Sequence, residues 1–205
     1  MTRLHTLYAF YAFYAFYTVY EFCAFHMHYM HSMHSLHSIH PMHPMHPMHS
    51  MHYIENRLLP EVAQGAESAG RNASDIDLIV PVFAVAGDTA EERAPWVHRA
   101  KTQIAFYGTT PNYAFQFEDL GFEGVTKALG DKMKAGDLQG MADTISDEML
   151  DHFALVSTWD GMADRLKERY EGTASRVVMY LTEEHMRKDP NSADKWGEVA
   201  RATRS

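Results

Sequence analysis

Two stretches of the chain carry side chains whose types and spacing bear on chemistry. In the first, a histidine recurs at every third position from His28 to His52, nine in all, with methionine interleaved. Imidazole nitrogen and thioether sulfur together suit copper, nickel or zinc, so the series carries some affinity for such ions. Without fixed geometry, or partners that orient the imidazoles, that affinity is loose and unselective. The second stretch is Tyr107-Gly108-Thr109-Thr110-Pro111-Asn112-Tyr113, where a helical run breaks. Its hydroxyls, backbone amides and aromatic walls are what a bound substrate, or the polar tail of a cofactor, requires. The same residues also read as a plain helix-to-helix connection with a Thr cap and a Pro in the first turn. Phe83 and Ala86, near the outgoing end of the strongest strand, could line the mouth of an α/β fold. Their competing reading is core packing, the usual fate of strand aromatics.

Other reactive groups have structural explanations. His98 and His152 are lone histidines on helical segments with no partner at ligand spacing. Asp147-Glu148 follows Ser146 and complements a helix N-terminus rather than forming an acid–base pair. The chain has no Gly-x-Gly-x-x-Gly, no phosphate loop with Lys, no nucleophile elbow and no His-Glu-x-x-His, which leaves hydrolase and nucleotide-kinase readings without support. Cys23 is the only cysteine, so an intrachain disulfide and a cysteine-based zinc site are excluded, and a reducing, cytoplasmic compartment is expected. The formal net charge is -9 and falls entirely after His52, because Arg3 and Glu21 are the only charged side chains before it. An acidic segment without a basic cluster does not suit nucleic acid.

The elements that must position these groups begin after His52. Ile54, Leu58, Val62 and Ala66 recur every fourth residue among charged neighbours, which predicts an amphipathic helix. Pro60 suits the first turn of its regular part, and Gly70 supplies the stop. Ile76 to Ala86 is nearly continuous in apolar, often β-branched residues, as expected of a strand covered on both faces in a parallel sheet. Thr89 and Glu92 have capping-box spacing, so a helix follows, with helical character through Tyr107. Short helices punctuated by Gly121, Gly130, Gly136 and Gly140 lead to Phe153. Then come a short apolar piece from Phe153 to Val156, a turn and cap at Ser157-Thr158, and a helix with Met162, Leu166 and Tyr170 inward. Arg176 to Leu181 reads as a second strand. Strand, turn and helix in this order predict an α/β fold.

Several of these motifs, in their order, resemble the C-terminal portion of the luciferase-like monooxygenase superfamily. They are Leu58-Leu59-Pro60, Ala69-Gly70-Arg71, Ala105-Phe106-Tyr107-Gly108-Thr109-Thr110-Pro111-Asn112-Tyr113, Ile145-Ser146-Asp147-Glu148, and Thr158-Trp159-Asp160 leading to Asp164-Arg165-Leu166. The branch it is most similar to uses a deazaflavin coenzyme. The resemblance covers nearly all of residues 53–205. It implies an α/β fold that is the C-terminal part of a TIM-type (β/α)8 barrel, and hydride transfer or monooxygenation on a small-molecule substrate. The cofactor it implies is the deazaflavin coenzyme F-420, with FMN as the alternative. It also raises the expectation that Phe83, Tyr107, Gly108, Thr109, Thr110 and Tyr113 contribute to cofactor or substrate binding. Two strands cannot close a barrel, so the chain reads as a truncated form with doubtful activity alone, for which a homo-oligomer or a complementing chain is a candidate partner.

Residues 1–52 form a separate low-complexity tract. From Tyr8 the triplets run without a break from Tyr-Ala-Phe to Pro-Met-His. Codons for Tyr, Cys, His, Ser and Pro are single-base neighbours, which fits a decaying tandem repeat in the gene. Neither helix nor strand has a period of three. Disorder without a specific role is the expectation, and metal binding through His and Met is the alternative function. Arg3 and the apolar run to Phe25 outline a leader or anchor, but Tyr, Glu21 and the missing small-residue cleavage site argue against it, so no membrane association is expected.

Overall fold

The structure is a computed structural model that describes residues 48–204. Its first described residues belong to the triplet tract and are already packed. Met48 is fully buried, and Ser50 caps Met51–Tyr53 by accepting a hydrogen bond from the Tyr53 backbone N–H. The helix runs on through a π-helical stretch, Ile54–Leu58, into α1 (Leu59–Ser68). The expected start at Pro60 is therefore an interior position. Proline lacks an N–H and crowds the carbonyl one turn earlier, and the wider π stretch lies directly before it. Gly70 ends the segment at φ 67, a left-handed conformation that costs glycine little.

The most apolar run forms the central strand β1 (Ile79–Ala86), in which every residue after Ile79 is buried. It starts later than its apolar pattern, because Ala73–Asp75 form a 3-10 turn. Thr89 caps α2 (Ala90–Gly108) by accepting from the Glu92 N–H, while the Glu92 carboxylate accepts from the Asp88 N–H. Short helices follow: α3 (Phe115–Glu118), α4 (Val125–Ala135), α5 (Leu138–Thr144) and α6 (Asp147–Phe153). Ser146 caps α6, with Asp147 and Glu148 in its first turn, as the dipole reading requires. The short apolar piece read at Phe153 to Val156 is a strand in its own right, β2 (Ala154–Ser157), which the sequence pattern left unassigned. Then come α7 (Trp159–Tyr170), β3 (Arg176–Tyr180), α8 (Thr182–Lys188) and α9 (Ser192–Ala202).

The described residues hold one sheet of three parallel strands in the order β2-β1-β3. Phe83 aligns with Ala154 on one side and with Tyr180 on the other. Phe83, Val85 and Ala154 face one core, with Ala100 and Ile104 of α2 and Phe117. Val80, Val82 and Leu155 face a second core, with Met162 and Leu166 of α7 and Trp196 of α9. Helices therefore cover both faces. Right-handed crossovers demand this: the chain steps from β1 to β2 in one direction and returns across β1 to reach β3, so the two connections lie on opposite faces.

This winding departs from the expected barrel arc. Consecutive strands of a (β/α)8 barrel are neighbours, and their helices share the outer face. The α/β, helix-rich class holds, but β3 lies against the edge of β1 where, in a consecutively wound barrel, the strand before β1 would lie. With no other described strand on that edge, pairing there satisfies backbone groups that would otherwise be open.

Candidate functional site

The Tyr107–Tyr113 stretch begins on the last turn of α2. Gly108 is buried, and a Cβ added to it would come within 2.7 Å of Leu129 Cδ1 and 2.9 Å of the Phe117 ring. Its lack of a side chain lets α2 approach α4 and the Phe117 ring. Thr109 donates its hydroxyl to the Phe106 carbonyl at 2.7 Å, and the Thr110 N–H donates to the Tyr107 carbonyl at 3.1 Å. These bonds end the helix, and Pro111–Tyr113 then make a 3-10 turn. Gly108 and Thr109 thus have structural work to do. Tyr107, Thr110 and Tyr113 are each partly exposed.

β3 supplies the residue that gathers the aromatics. The Tyr180 ring meets Phe83 edge-on at 5.8 Å and lies close enough to Tyr107 for a hydroxyl hydrogen bond. Burial pushes the Tyr107 phenol up to about 12, with Tyr180 and Tyr113 nearby adding to the shift. Phe83 is fully buried beneath this group. The structure therefore brings Phe83 and Tyr107 to Tyr180, and Tyr113 near Tyr107, which is held as a neutral phenol that can donate or accept a hydrogen bond. Tyr180 was missed as a site residue because a strand-terminal tyrosine reads as packing, and its pairing with Phe83 is a long-range fact.

A second cluster sits near the carboxyl ends of the strands, where α/β folds place their ligands. Trp96 lies in the helix after β1, Trp159 opens the helix after β2, and His185 lies in the helix after β3. His185 stacks on Trp96 at 4.4 Å, with Trp159 at 5.5 Å and Trp196 at 6.0 Å. Lys188 lies over the Trp96 ring and Lys195 over Trp159, each at 5.1 Å. Burial pushes the His185 imidazole down; Asp189 opposes that shift and Lys195 adds to it. The Glu184 carboxylate accepts from Arg99 at 3.0 Å and from Lys188 at 2.9 Å. Burial opposes its ionisation, but those hydrogen bonds hold it below the usual carboxylate range. The protein's only three tryptophans converge here, a signal available in the sequence only once the strand ends are known.

The remaining candidates are peripheral. His98 and His152 are exposed, and His152 meets Phe122 edge-on. A shallow concavity of about 420 Å³ lies between Tyr53, Asn56, Arg57, Glu61 and Phe115, with Arg57 held by both Asp119 carboxylate oxygens. Among the described residues, no group of three or more His, Cys, Asp or Glu is arranged to hold a metal. The Gln116 amide donates to His49 Nδ1 at 2.9 Å. The tract's histidines up to His46, with Cys23 and the apolar run, lie outside the described residues. Also among the described residues, no helix is long and apolar enough to cross a membrane.

The model of the luciferase-like monooxygenase family matches residues 40–176, well over half of the chain. The chain belongs to that family. The match begins inside the triplet tract and takes in both strand β1 and the Tyr107–Tyr113 stretch. Among curated proteins, this luciferase-like chain is 34% identical over 126 residues to the uncharacterized proteins Mb1395 of Mycobacterium bovis and Rv1360 of Mycobacterium tuberculosis. That alignment covers 62% of this chain and 37% of each relative, so the chain spans little more than a third of their length. Among solved structures, its fold is similar to part of the coenzyme F-420 dependent tetrahydromethanopterin reductase from Methanopyrus kandleri. There the TM-score is 0.52 and the identity 18%, over 63% of this chain and 36% of the reductase. At that identity the likeness is one of fold.

Proposed function

We propose that the chain is the C-terminal portion of a luciferase-like oxidoreductase that transfers hydride between the deazaflavin coenzyme F-420 and a small-molecule substrate. One observation carries the reading: a family-matched segment has the fold of part of a reductase that depends on that coenzyme. FMN with monooxygenation is the alternative cofactor chemistry within the same family. When bound, either ring system supplies the redox step, and the protein binds and orients it.

The described residues fit a tricyclic ring poorly on their own. Tyr107, with Tyr180 and Tyr113 near it, offers one partly exposed wall, but Phe83 is fully buried. Ligand sites of this size enclose most of their ligand, and a wall does not. What these residues offer is a face on which a planar ring rests, phenol hydroxyls for hydrogen bonding, and the Thr109-Thr110 segment beside it. The described residues lack that enclosure, and the chain spans little more than a third of the relatives' length.

The test is a chimera. Residues 53–205 replace the matching segment of the Mycobacterium tuberculosis relative, and F-420 and FMN are titrated into the purified product and into the present chain. The chimera is expected to bind F-420 one-to-one, and the present chain to bind neither cofactor stoichiometrically. A soluble, folded chimera that binds neither overturns the oxidoreductase reading. Tight one-to-one binding by the present chain as a monomer overturns the claim that it needs the remainder.

A further inference from the structure

The outer edge of β3 differs from every other strand border in the described residues. β1 is central, and β2, the opposite edge, is only four residues long with its first two residues buried. β3 has five residues that alternate between exposed and half-buried. Of the three exposed large hydrophobic residues in the described chain, two are Val178 and Tyr180, each 41% exposed and on one face of this strand. Edge strands of monomers usually carry proline, lysine, a bulge or an inward-pointing charge to block pairing. β3 has none of these; its one charge is Arg176, exposed at the strand's first position.

We propose that β3 pairs with β3 of a second copy of this chain, antiparallel about a two-fold axis at Val178, so that two three-stranded sheets join into one of six. A two-fold contact must be self-complementary, because each residue meets its own counterpart's environment. β3 meets that condition in the register centred on Val178, which pairs all five residues. Val178 lies opposite Val178 of the second copy. Arg176 lies opposite Tyr180 on the same exposed face, a cation set against an aromatic ring, and the pair occurs twice. Val177 lies opposite Met179 on the other face, continuing the second core. No like charges oppose each other. A register two residues away in either direction leaves part of the strand unpaired. The area is small beside that of a standard interface, so the dimer is weak and forms with rising concentration.

Sedimentation equilibrium of the full chain tests this, using wild type, Val178→Lys, Val178→Glu and an equimolar mixture of the two variants. Val178 is exposed, so both variants keep the fold, which circular dichroism checks. Wild type is expected to self-associate. Each variant alone should associate roughly fivefold more weakly or worse, because two like charges then face each other across the axis. The mixture should recover association, because Lys and Glu then lie directly opposite. A wild-type chain that stays monomeric up to millimolar concentration overturns the proposal. So does a Val178→Lys variant that associates as tightly as wild type, which would place the contact elsewhere, or a mixture of folded variants that fails to recover.

Discussion

β1 and β3 are neighbouring strands paired in register from Ile79 with Arg176 to Phe83 with Tyr180, yet their environments diverge. In β1 both faces are buried, under α2 on one side and α7 and α9 on the other. In β3 only Val177 and Met179 reach a core, while Val178 and Tyr180 on the other face remain exposed. Apolar side chains alone do not decide burial. Val178 and Val80 are the same residue type one strand apart; Val80 is fully buried beneath a helix, and Val178 leaves 41% of its surface to solvent. Tyr107 and Tyr180, which the proposed function assigns to ligand contact, lie on the less covered side of this pair.

The contrast can be broken most forcefully at Phe83. It is fully buried between the sheet and α2, and truncation to Ala removes a ring whose space the surrounding helices fill only in part. Phe83→Ala is expected to cost about 3–5 kcal/mol, read from urea unfolding midpoints. A loss under about 1 kcal/mol would mean that this face of β1 is as loosely covered as β3.

The next effect is expected at Gly108, where α2 meets the Phe117 ring and α4. A Cβ there would sit 2.7 Å from Leu129 Cδ1, so Gly108→Ala overpacks the first core. The expected loss is about 1–3 kcal/mol, measured in the same way. A neutral substitution would show that the glycine serves a bound group rather than the packing.

Much of this was legible in the residues. The continuous apolar run gave away β1 as covered on both faces, Thr89 with Glu92 marked a real cap, Asp147-Glu148 after Ser146 marked a real helix start, and Gly70 marked a real stop. Each depends on neighbours within a few positions. Three features escaped because they depend on distant ones. Four residues, Ala154–Ser157, were too few to show a strand's period, and only pairing with β1 makes them β2. The order β2-β1-β3 follows from which edge is open. Tyr180 and the three tryptophans join their clusters only through contacts across the fold. The Tyr107–Tyr113 stretch stood out by its types of residue, whereas the packing of Gly108 against Leu129 and Phe117 and the bond from Thr109 to the Phe106 carbonyl depend on the folded helix end.

His185 allows the comparison to be read through pH, with a smaller effect. Its imidazole is buried against Trp96, and its pKa is pushed below the ordinary 6.5, by burial first. Asp189 favours the proton; Lys195 disfavours it, and Lys188, Glu184 and Arg99 lie around the same cluster. Above pH 6.5 neither the folded nor the unfolded state holds the proton. As pH falls below that value the unfolded chain takes it up first, so stability falls until the folded-state pKa is reached. Wild type should therefore lose more stability between pH 7.5 and 5.5 than His185→Gln does. Tryptophan fluorescence followed through urea unfolding at both pH values measures the difference. Equal losses would mean that the imidazole titrates as freely in the fold as outside it.

The smallest effect is the most discriminating, because it asks whether the uncovered face of β3 is bare in the isolated chain. Val178→Ala removes two methyl groups from a side chain that leaves 41% of its surface to solvent. At protein concentrations too low for association, the change should stay within about 0.5 kcal/mol of wild type, the range of surface substitutions. It then rises with concentration, because burial of Val178 comes only with a second strand at that edge. A loss of about 2 kcal/mol at the lowest concentration would mean that another segment of the same chain already lies over the face, and the difference between β1 and β3 would then be one of degree.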